Sequence, residues 1–502
     1  MSSEAGAGGR RGSRRTEDSD PRASSLPGPP RVVVVGGGIA GLAAAHRLLT
    51  LRPDLQVTVL EGTSEVGGKM RLGEIGGVQV DLGAESMLAR RTEGTELAAA
   101  VGLADDLVHP VVSNAGVWTR GAIHALPPTL MGVPADLAVA ARSGILSRGA
   151  TLRARLESRM RRVDLSRDVS IGALVTRRLG RDITDRLVDP LVGGVYAGRC
   201  DELSLFAAWP QVTEALRRHG SLLLAAAASL EEIRPTGDVT EGARPPVFAG
   251  VEGGLGRLAV ATGAEVQRLG GVVRCGAMVR ELATTARGWR LVVGSAHDPE
   301  VVEADAVVVS TPATTAARML RDAAPGAARE LGRIAYASLA IITVAFAAGH
   351  VDVSLTGSGF LVPPVDGTTI KAATYTSLKW GWLPDDLLVL RCSVGRHGDE
   401  QTLQRDDAEL AEAAMLDLRD ATGLRAPLVD AIVTRWGGAL PQYAVGHLDR
   451  VARISDAVAA VEGLEVCGAA FDGVGVPAVI ATGQAAATRV VEHLDRVATM
   501  GP

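Results

Sequence analysis

The chain has 502 residues, of which 47% are hydrophobic, so it is long enough to bury more than one core in two or three lobes. Its formal net charge of −5 argues against a nucleic-acid partner. Residues 1–30 contain no apolar core of a signal peptide. The longest apolar run, Leu222 to Leu230, is far shorter than the roughly 18 residues that span a bilayer. We therefore expect a disordered tail at residues 1–30, no transmembrane segment and a cytosolic location.

The positions of the cysteines and histidines predict no metal site. The arginines leave open whether one face of the protein contacts a membrane or only solvent. The nine histidines show no metal-ligand spacing. The cysteines are far apart, match no zinc or redox spacing and are expected to be reduced: Cys200, Cys275, Cys392 and Cys467. Arginines are concentrated from Leu152 to Arg162, where peripheral contact with an acidic membrane is an alternative to a solvated face. Glu157 and Asp164 interrupt this charge and favour the solvated face.

The segment from Arg31 to Leu49 predicts a dinucleotide-binding turn. Val32 to Val35 suit a parallel strand that is covered on both faces. Three glycines then follow at GxGxxG spacing, Gly36, Gly38 and Gly41, with Gly37, Ile39 and Ala40 between them. Such glycines permit a tight turn, a close approach of the backbone to a pyrophosphate and close packing of helix on strand. A surface loop is the alternative, but the order of strand, glycines and helix disfavours it.

A second apolar strand, Gln56 to Leu60, ends at Glu61 and is followed by Gly62. A carboxylate at this position accepts hydrogen bonds from ribose hydroxyls and disfavours a 2′-phosphate. The fingerprint does not by itself separate NAD from FAD. Two further turns come next, at Gly67, Gly68 and Lys69 and at Gly83 to Ser86.

Together these segments, residues 31 to 90, resemble the opening of the FAD-dependent amine oxidase and protoporphyrinogen oxidase superfamily. In that superfamily the double-glycine segment passes close to the diphosphate, and the later one reaches towards the flavin. The C-terminal segment Leu464 to Leu494 resembles the family's closing strand, glycine-rich turn and helix. Ala304 to Pro312 and the stretch around Val279 resemble its middle return, which implies that Val279 lies on the adenine side.

The resemblance implies a set of FAD-binding residues. They are Gly36, Gly37, Gly38, Ile39, Ala40, Gly41, Glu61, Gly62, Gly68, Lys69, Gly83, Ala84, Glu85, Ser86, Val279, Trp436, Val474, Gly475 and Val476. Some amine oxidases link flavin to a cysteine near the C-terminus, but the porphyrinogen branch does not. We therefore expect non-covalent FAD.

Several longer motifs resemble the bacterial porphyrinogen oxidases of haem synthesis, of actinobacterial type. They are Asp189 to Leu205, Gly253 to Leu258, Gly83 to Arg91, Ile334 to Ala340, Trp436 to His447 and Gly473 to Pro477. Ala478 departs from the acidic residue expected after the last motif. The resemblance implies an α/β (mixed α+β) fold with a discontinuous Rossmann-like FAD-binding domain at 31–105, 250–320 and 455–502. It also implies a mostly helical lobe at 106–249 and a mixed-sheet substrate-binding domain at 321–454.

The activity implied by the resemblance is oxygen-dependent oxidation of a porphyrinogen, with release of hydrogen peroxide. Coproporphyrinogen III is favoured because the segments Gly83 to Arg91 and Thr368 to Trp380 resemble that branch of the family more closely. The inferred source agrees, since only three of the 52 basic residues are lysine, which indicates a high-GC genome of the kind found in actinobacteria. Bacteria of that group generally use the coproporphyrin route. Protoporphyrinogen IX is the alternative substrate, and a flavin amine oxidase, a carotenoid-type desaturase and a non-catalytic porphyrin carrier are alternative functions. Contact with a ferrochelatase is left open.

Few side chains are candidates for work on the substrate. Tyr375 is the candidate catalytic residue beside the flavin, with an ordinary sheet residue as the alternative interpretation. Arg90, Lys371 and Lys379 are candidates for binding substrate carboxylates, with solvated surface charges as the alternative. His447 is expected to be structural.

Overall fold

The computed structural model describes residues 28–232 and 246–500. The predicted disordered tail lies outside these residues, apart from its last three positions. The α-helices are α1 (Ile39–Leu51), α2 (Glu93–Ala100), α3 (Leu137–Arg142), α4 (Arg148–Ala154), α5 (Ile171–Leu179), α6 (Arg181–Ile183), α7 (Asp189–Tyr196), α8 (Leu205–Ala208), α9 (Pro210–His219), α10 (Leu222–Glu232), α11 (Gly256–Arg268), α12 (Ala313–Met319), α13 (Pro325–Leu331), α14 (Thr376–Lys379), α15 (Asp407–Thr422), α16 (His447–Ala459) and α17 (Val476–Met500).

The strands are β1 (Arg31–Val35), β2 (Gln56–Leu60), β3 (Leu72–Ile75), β4 (Val78–Asp81), β5 (Met87–Leu88), β6 (Leu107–Val108), β7 (Gly116–Thr119), β8 (Ala122–Ala125), β9 (Thr129–Leu130), β10 (Val133–Pro134), β11 (Phe248–Val251), β12 (Val272–Arg274), β13 (Val279–Thr285), β14 (Gly288–Gly294), β15 (Pro299–Ala304), β16 (Ala306–Val309), β17 (Tyr336–Ala347), β18 (Gly359–Leu361), β19 (Ile370–Thr374), β20 (Leu387–Val394), β21 (Leu428–Pro441) and β22 (Leu464–Val466). Short 3-10 helices span Arg155–Arg159, Ala348–His350, Pro364–Asp366 and Thr402–Gln404, and a π-helical turn spans Thr184–Val188.

A five-stranded parallel sheet, in the order β12-β2-β1-β16-β22, brings together strands from both ends and the middle of the chain. Val34 pairs with Val59 on one side and with Val308 on the other. Val32 and Val34 belong to a buried core with α1, α11 and α17, whereas Val33 and Val35 belong to a second core with α12, α13 and α16. The prediction of a strand covered on both faces is therefore confirmed, and all the carboxyl ends of the sheet meet at one edge.

A second sheet has seven strands in the order β21-β17-β20-β19-β18-β7-β8. All its pairings are antiparallel except that of β18 with β7, so this sheet is mixed. Helix α15 packs on it through Leu410, Ala414 and Leu418, in a core shared with β17, β19 and β20. The predicted mixed α/β fold class is confirmed. Strands β7 and β8 come from the range assigned to the helical lobe, yet they extend this sheet.

The helices α3 to α10 supply most of another buried core, which also contains Val117, Val133 and Tyr443. Glu157 is fully buried there and pairs with Arg178, whose side chain is 4% exposed. The backbone N–H of Leu222 also donates to Glu157 Oε1 at 3.0 Å. The arginines between Leu152 and Arg162 are exposed, so the solvated face stays a prediction for them, but Glu157 is not part of that face because its carboxylate points into the lobe. Within 28–232 and 246–500, no helix combines the length and apolarity needed to cross a bilayer.

Candidate cofactor and substrate site

The first glycine turn lies at the carboxyl edge of the parallel sheet, between β1 and α1. Gly36 adopts φ +110°, a conformation that favours glycine. A Cβ on Gly41 would lie 2.0 Å from the carbonyl oxygen of Gly36, so the helix approaches the turn as closely as the spacing predicted. A Cβ on Gly38 would meet nothing within 4 Å, which leaves open space above the first turn of α1. This combination of a free helix N-terminus and open space fits a pyrophosphate.

Glu61 closes this turn from the end of β2. Its Oε2 accepts a hydrogen bond from the backbone N–H of Gly37 at 2.7 Å, and its Oε1 accepts from the N–H and hydroxyl of Thr63, both at 2.8 Å. The carboxylate is partly exposed, and Oε2, which accepts one hydrogen bond, has a further lone pair for a ribose hydroxyl. Gly62 lies beside the side chain of Met278. The ribose-binding role of Glu61 stays a prediction, and the spacing did not predict the bond between Glu61 and the glycine turn.

The double-glycine segment contacts the first turn directly. The backbone N–H of Gly67 donates to the carbonyl of Gly37 at 2.8 Å, and Gly68 has φ +61°. Lys69 follows, and its carbonyl accepts from the N–H of Ala84 at 3.1 Å. Burial lowers the pKa of the Lys69 ammonium, and no ion pair within the described ranges offsets this cost. An uncompensated cation at this position fits an anionic ligand such as a diphosphate.

The Gly83 to Ser86 segment is held by a charged network that the sequence analysis missed. Glu85 pairs with Lys379 and, at 2.5 Å, with Nη1 of Arg391, while Nη2 of Arg391 donates to the carbonyl of Gly83 at 2.6 Å. Burial alone would raise the pKa of Glu85, but the two cations outweigh it and lower that pKa to about 2. Glu85 is therefore anionic at neutral pH. The available signal was an arginine inside the apolar strand β20, a position where a charge must find a buried partner.

Trp436 on β21 joins the second sheet to this segment. Its indole N–H donates to the carbonyl of Leu82 at 3.1 Å. A Cβ on Gly83 would lie 3.2 Å from its ring and 1.9 Å from the carbonyl oxygen of Lys69. The structure thus brings the double-glycine segment, Gly83 and Trp436 together, as their joint assignment to one cofactor requires.

The C-terminal turn also reaches this edge of the sheet. As predicted, β22 is followed by a glycine-rich turn, and α17 begins at Val476, directly after Val474 and Gly475. A Cβ on Gly483 would lie 2.1 Å from the carbonyl oxygen of Ala40, so α17 packs tightly on the start of α1. Cys467 is a buried free thiol, and burial raises its pKa to about 12. The non-covalent attachment of the flavin stays a prediction.

Val279, a predicted site residue, and Ser310, a further residue that supports the first turn, lie beside these segments. Val279 belongs to the buried core that contains Val35 and Leu60, and the N–H of Ala277 donates to the carbonyl of Glu61 at 2.7 Å. Ser310, at the end of β16, was not foreseen as a site residue. Its hydroxyl lies 2.9 Å from the carbonyl oxygens of both Val35 and Gly36.

The candidate catalytic and substrate-binding residues differ in their burial and in their bonded partners. Tyr375 is 2% exposed, packs edge-on against Phe360 and has its pKa raised by burial. Lys371 is 5% exposed at an irregularity in the pairing of β19 with β20, and burial, reinforced by Arg396, lowers its pKa to about 7. Lys379, expected to be available to a substrate carboxylate, is paired with Glu85 instead.

Arg90 differs from these buried groups. Its side chain is exposed, and the residues described give it no hydrogen bond or ion pair. The neighbouring Arg91 is bound by Glu93, with Nη2 2.5 Å from Oε1. Arg90 is thus a free guanidinium four residues beyond Ser86. Across the described residues, no cluster of histidine, cysteine and carboxylate side chains is suited to a metal ion.

Comparisons with known proteins agree with this geometry. The family described as flavin containing amine oxidoreductase matches residues 39–491. A coproporphyrinogen III oxidase from Mycobacterium tuberculosis is 34% identical over 475 residues, covering 93% of this chain and 98% of the relative. A coproporphyrinogen III oxidase from Bacillus subtilis is 29% identical over 479 residues, covering 93% and 99%. A crystal structure from Exiguobacterium sp., provisionally described as a protoporphyrinogen oxidase, superposes with TM-score 0.80 at 30% identity, covering 93% and 99%.

The chain therefore belongs to the flavin-containing amine oxidoreductases. Its similarity to the three proteins above extends over nearly its whole length, and each of them is described as a porphyrinogen oxidase. The family is flavin-containing and the geometry of the glycine turns and Glu61 fits a dinucleotide, so the cofactor is FAD.

Proposed function

We propose that this chain oxidises coproporphyrinogen III to coproporphyrin III, with FAD as the cofactor, molecular oxygen as the electron acceptor and hydrogen peroxide as the second product. The observation that carries the proposal is the end-to-end similarity to coproporphyrinogen III oxidases, at 34% identity in one case. The dinucleotide-type geometry at the carboxyl edge of the parallel sheet supports the same conclusion.

The chemistry follows from the macrocycle. A porphyrinogen has methylene bridges between its pyrroles, and each oxidation step removes a hydride equivalent from a bridge carbon and a proton from a pyrrole nitrogen. Bound FAD supplies the two-electron acceptor. Three such steps remove six hydrogens and reduce three molecules of oxygen to three of hydrogen peroxide. The protein has to bind, orient and shield the reactants.

Named residues divide this work. The N–H groups at the start of α1 would hold the diphosphate, and Glu61, whose carboxylate accepts a bond from the N–H of Gly37, would accept bonds from ribose hydroxyls. Arg391 and Glu85 hold the backbone of Gly83, the segment proposed to face the flavin. Tyr375 keeps its proton at neutral pH, because burial raises its pKa, so it would act as a protonated group and not as a base.

Substrate carboxylates require cations, and Arg90 is the residue proposed to meet one of them. Its guanidinium is exposed and free, and this group binds carboxylates through two parallel hydrogen bonds. Lys371 remains a second candidate because it is buried without a bonded partner among the described residues. Lys379 is paired with Glu85, so it would affect the site by holding Glu85 and not by binding a substrate carboxylate itself.

We propose the following division of the chain. The FAD-binding part comprises 31–105, 250–320 and 455–502, the helical lobe 106–249 and the substrate-binding part 321–454. Support comes from the parallel sheet, whose strands all fall in the first set, and from the seven-stranded sheet, five of whose strands fall in the last range.

The test mixes anaerobically prepared coproporphyrinogen III and protoporphyrinogen IX separately with the protein in air, and follows porphyrin fluorescence and peroxide together. Rapid formation of both products from coproporphyrinogen III is expected. A clear preference for protoporphyrinogen IX would support the second candidate, to which the likeness to the Exiguobacterium structure also points. Silence with both substrates would overturn the proposal and leave an amine oxidase, a desaturase or a porphyrin carrier.

A matched pair of variants tests the role of Arg90. Arg90→Gln is expected to raise the KM for coproporphyrinogen III by roughly tenfold or more, because a charge-assisted hydrogen bond is lost. Arg91→Gln is the control, since that guanidinium is already occupied by Glu93. Equal KM values for both variants and the unaltered enzyme would remove Arg90 from the substrate site.

A further inference from the structure

The segment Pro441–His447 is one of the motifs that the proposed function leaves without a role. It connects the end of β21 to the start of α16. We name it the Tyr443 segment, after its central residue, which is 1% exposed. This segment lies against two other parts of the molecule, the helical lobe and the glycine-rich turn Cys467–Gly475, which we name the C-terminal turn.

The hydroxyl of Tyr443 bridges the C-terminal turn. It donates to the carbonyl of Ala469 at 2.6 Å and accepts from the N–H of Gly473 at 2.9 Å. These partners stand on either side of the middle of the turn, so one buried hydroxyl ties its two halves together. Gly473 has φ +136°, a conformation that glycine adopts readily and other residues rarely do. Val474 and Gly475, two of the FAD-binding candidates, follow immediately.

The helical lobe holds the backbone of the Tyr443 segment. The N–H of Ser204 donates to the carbonyl of Tyr443 at 2.7 Å. Asp168 Oδ2 accepts from both the hydroxyl of Ser204, at 2.7 Å, and the N–H of Gly446, at 2.8 Å. These hydrogen bonds with Ser204 and Asp168 restrain the backbone on both sides of Tyr443.

The ring of Tyr443 is held as well. His447 stacks on it with centroids 4.0 Å apart and planes 14° apart, and the ring of Tyr196 lies 5.5 Å away on α7. Gln442 adds a bond from its side-chain amide to the carbonyl of Tyr196 at 2.8 Å. The ring and the backbone of Tyr443 are therefore both fixed against the helical lobe, and they place its hydroxyl at the C-terminal turn.

We propose that Tyr443 is a positioning residue for FAD: its hydroxyl holds the C-terminal turn in the shape that presents Val474 to Val476 to the cofactor, and the helical lobe holds Tyr443. The inference rests on the proposed function, because it assigns the turn to the cofactor site of that enzyme. Tyr443 acts through the turn and touches no reacting atom.

The test is the rate at which the purified holoenzyme releases FAD after dilution, measured as the rise in flavin fluorescence. Tyr443→Phe keeps the ring and its stacking but removes both hydrogen bonds to the turn. It is expected to release FAD about tenfold faster, since a hydrogen bond of ordinary strength corresponds to roughly that factor, and to shift the visible absorption band of the bound flavin. Tyr196→Phe is the matched control, because it alters the same aromatic cluster but removes only a weak 3.4 Å bond to the carbonyl of Ala208.

The tryptophan-fluorescence unfolding midpoint separates positioning from a general loss of stability. The proposal requires faster release and an altered flavin spectrum for Tyr443→Phe at temperatures well below that midpoint. Release at the unaltered rate, or equal acceleration by Tyr196→Phe, would overturn it.

A second variant keeps the proposal testable if Tyr443→Phe does not fold. Gly473→Ala disturbs the turn from the other side, because its Cβ would lie 2.9 Å from the Cβ of Ala478 at a positive φ. It is expected to release FAD at least as fast as Tyr443→Phe, and unchanged release would count against the proposal. None of these measurements uses a porphyrinogen. Failure of the proposed substrate and failure of the Tyr443 role are therefore distinguishable.

Discussion

Replacement of His447 by phenylalanine should change how the stability of the protein depends on pH. His447 is fully buried against Tyr443, beside the backbone of Ala470 and Phe471, and neither of its ring nitrogens makes a hydrogen bond of normal geometry to the described residues. Burial, reinforced by Arg450, lowers its pKa from 6.5 to about 4. His447→Phe keeps a stacked ring and removes two unsatisfied polar atoms. At pH 7 we expect the free energy of unfolding to change by no more than about 1 kcal/mol, the usual cost of a slightly larger ring.

The sign at lower pH follows from proton binding. Between pH 6.5 and about 4 the unfolded chain binds a proton on His447 that the folded protein excludes, so this group removes stability as the pH falls through that window. At pH 5, 1.5 units below the unfolded value, the loss is about 2 kcal/mol at 1.36 kcal/mol per unit. His447→Phe does not suffer this loss and should be about 2 kcal/mol more stable than the unaltered protein at pH 5.

Urea unfolding followed by tryptophan fluorescence, at pH 7 and pH 5 with excess FAD, measures the difference. His297→Phe is the control, since His297 is exposed in the loop between β14 and β15, and its stability should follow that of the unaltered protein at both pH values. Curves for His447→Phe that run parallel to the unaltered protein from pH 7 to pH 5 would refute the reasoning.

Three further perturbations follow from the site. Gly41→Ala places a methyl group 2.0 Å from the carbonyl oxygen of Gly36 and should yield protein without flavin absorbance. Gly149→Ala is the control, because its Cβ meets nothing within 4 Å, and it should remain yellow. A yellow Gly41→Ala protein would contradict the packing. Glu85→Gln leaves two buried cations without their counter-charge and should cost roughly 3–5 kcal/mol of unfolding free energy in urea; a loss below about 1 kcal/mol would show that the network is not buried in solution. The pKa of Lys371 is lowered from 10.5 to about 7, so the unfolding free energy of the unaltered protein should rise by about 2 kcal/mol between pH 7.5 and 9. Lys371→Met should lack this rise in urea unfolding. Equal dependence of the unfolding free energy on pH in the two proteins would argue against the burial of Lys371.

Much of the cofactor site was accessible from local sequence. The valine run, the glycine spacing and Glu61 predicted β1, the turn, α1 and β2, because strand and helix periodicity and the tight approach of Gly41 are short-range constraints. The C-terminal strand, turn and helix were predicted in the same way and confirmed. The family resemblance located Gly83 to Ser86 and Trp436, and the tertiary structure shows that the two segments touch.

What only the tertiary structure decided were the pairings of charges across long separations in the chain. Glu85 meets Lys379 and Arg391 about three hundred residues away, and Glu157 is buried against Arg178 instead of facing solvent. Local sequence predicts which residues are charged and which segments form strands and helices. It does not predict which charges folding removes from water together, because that depends on how separate sheets and lobes pack, and the cost of leaving a buried charge unpaired then selects the partner.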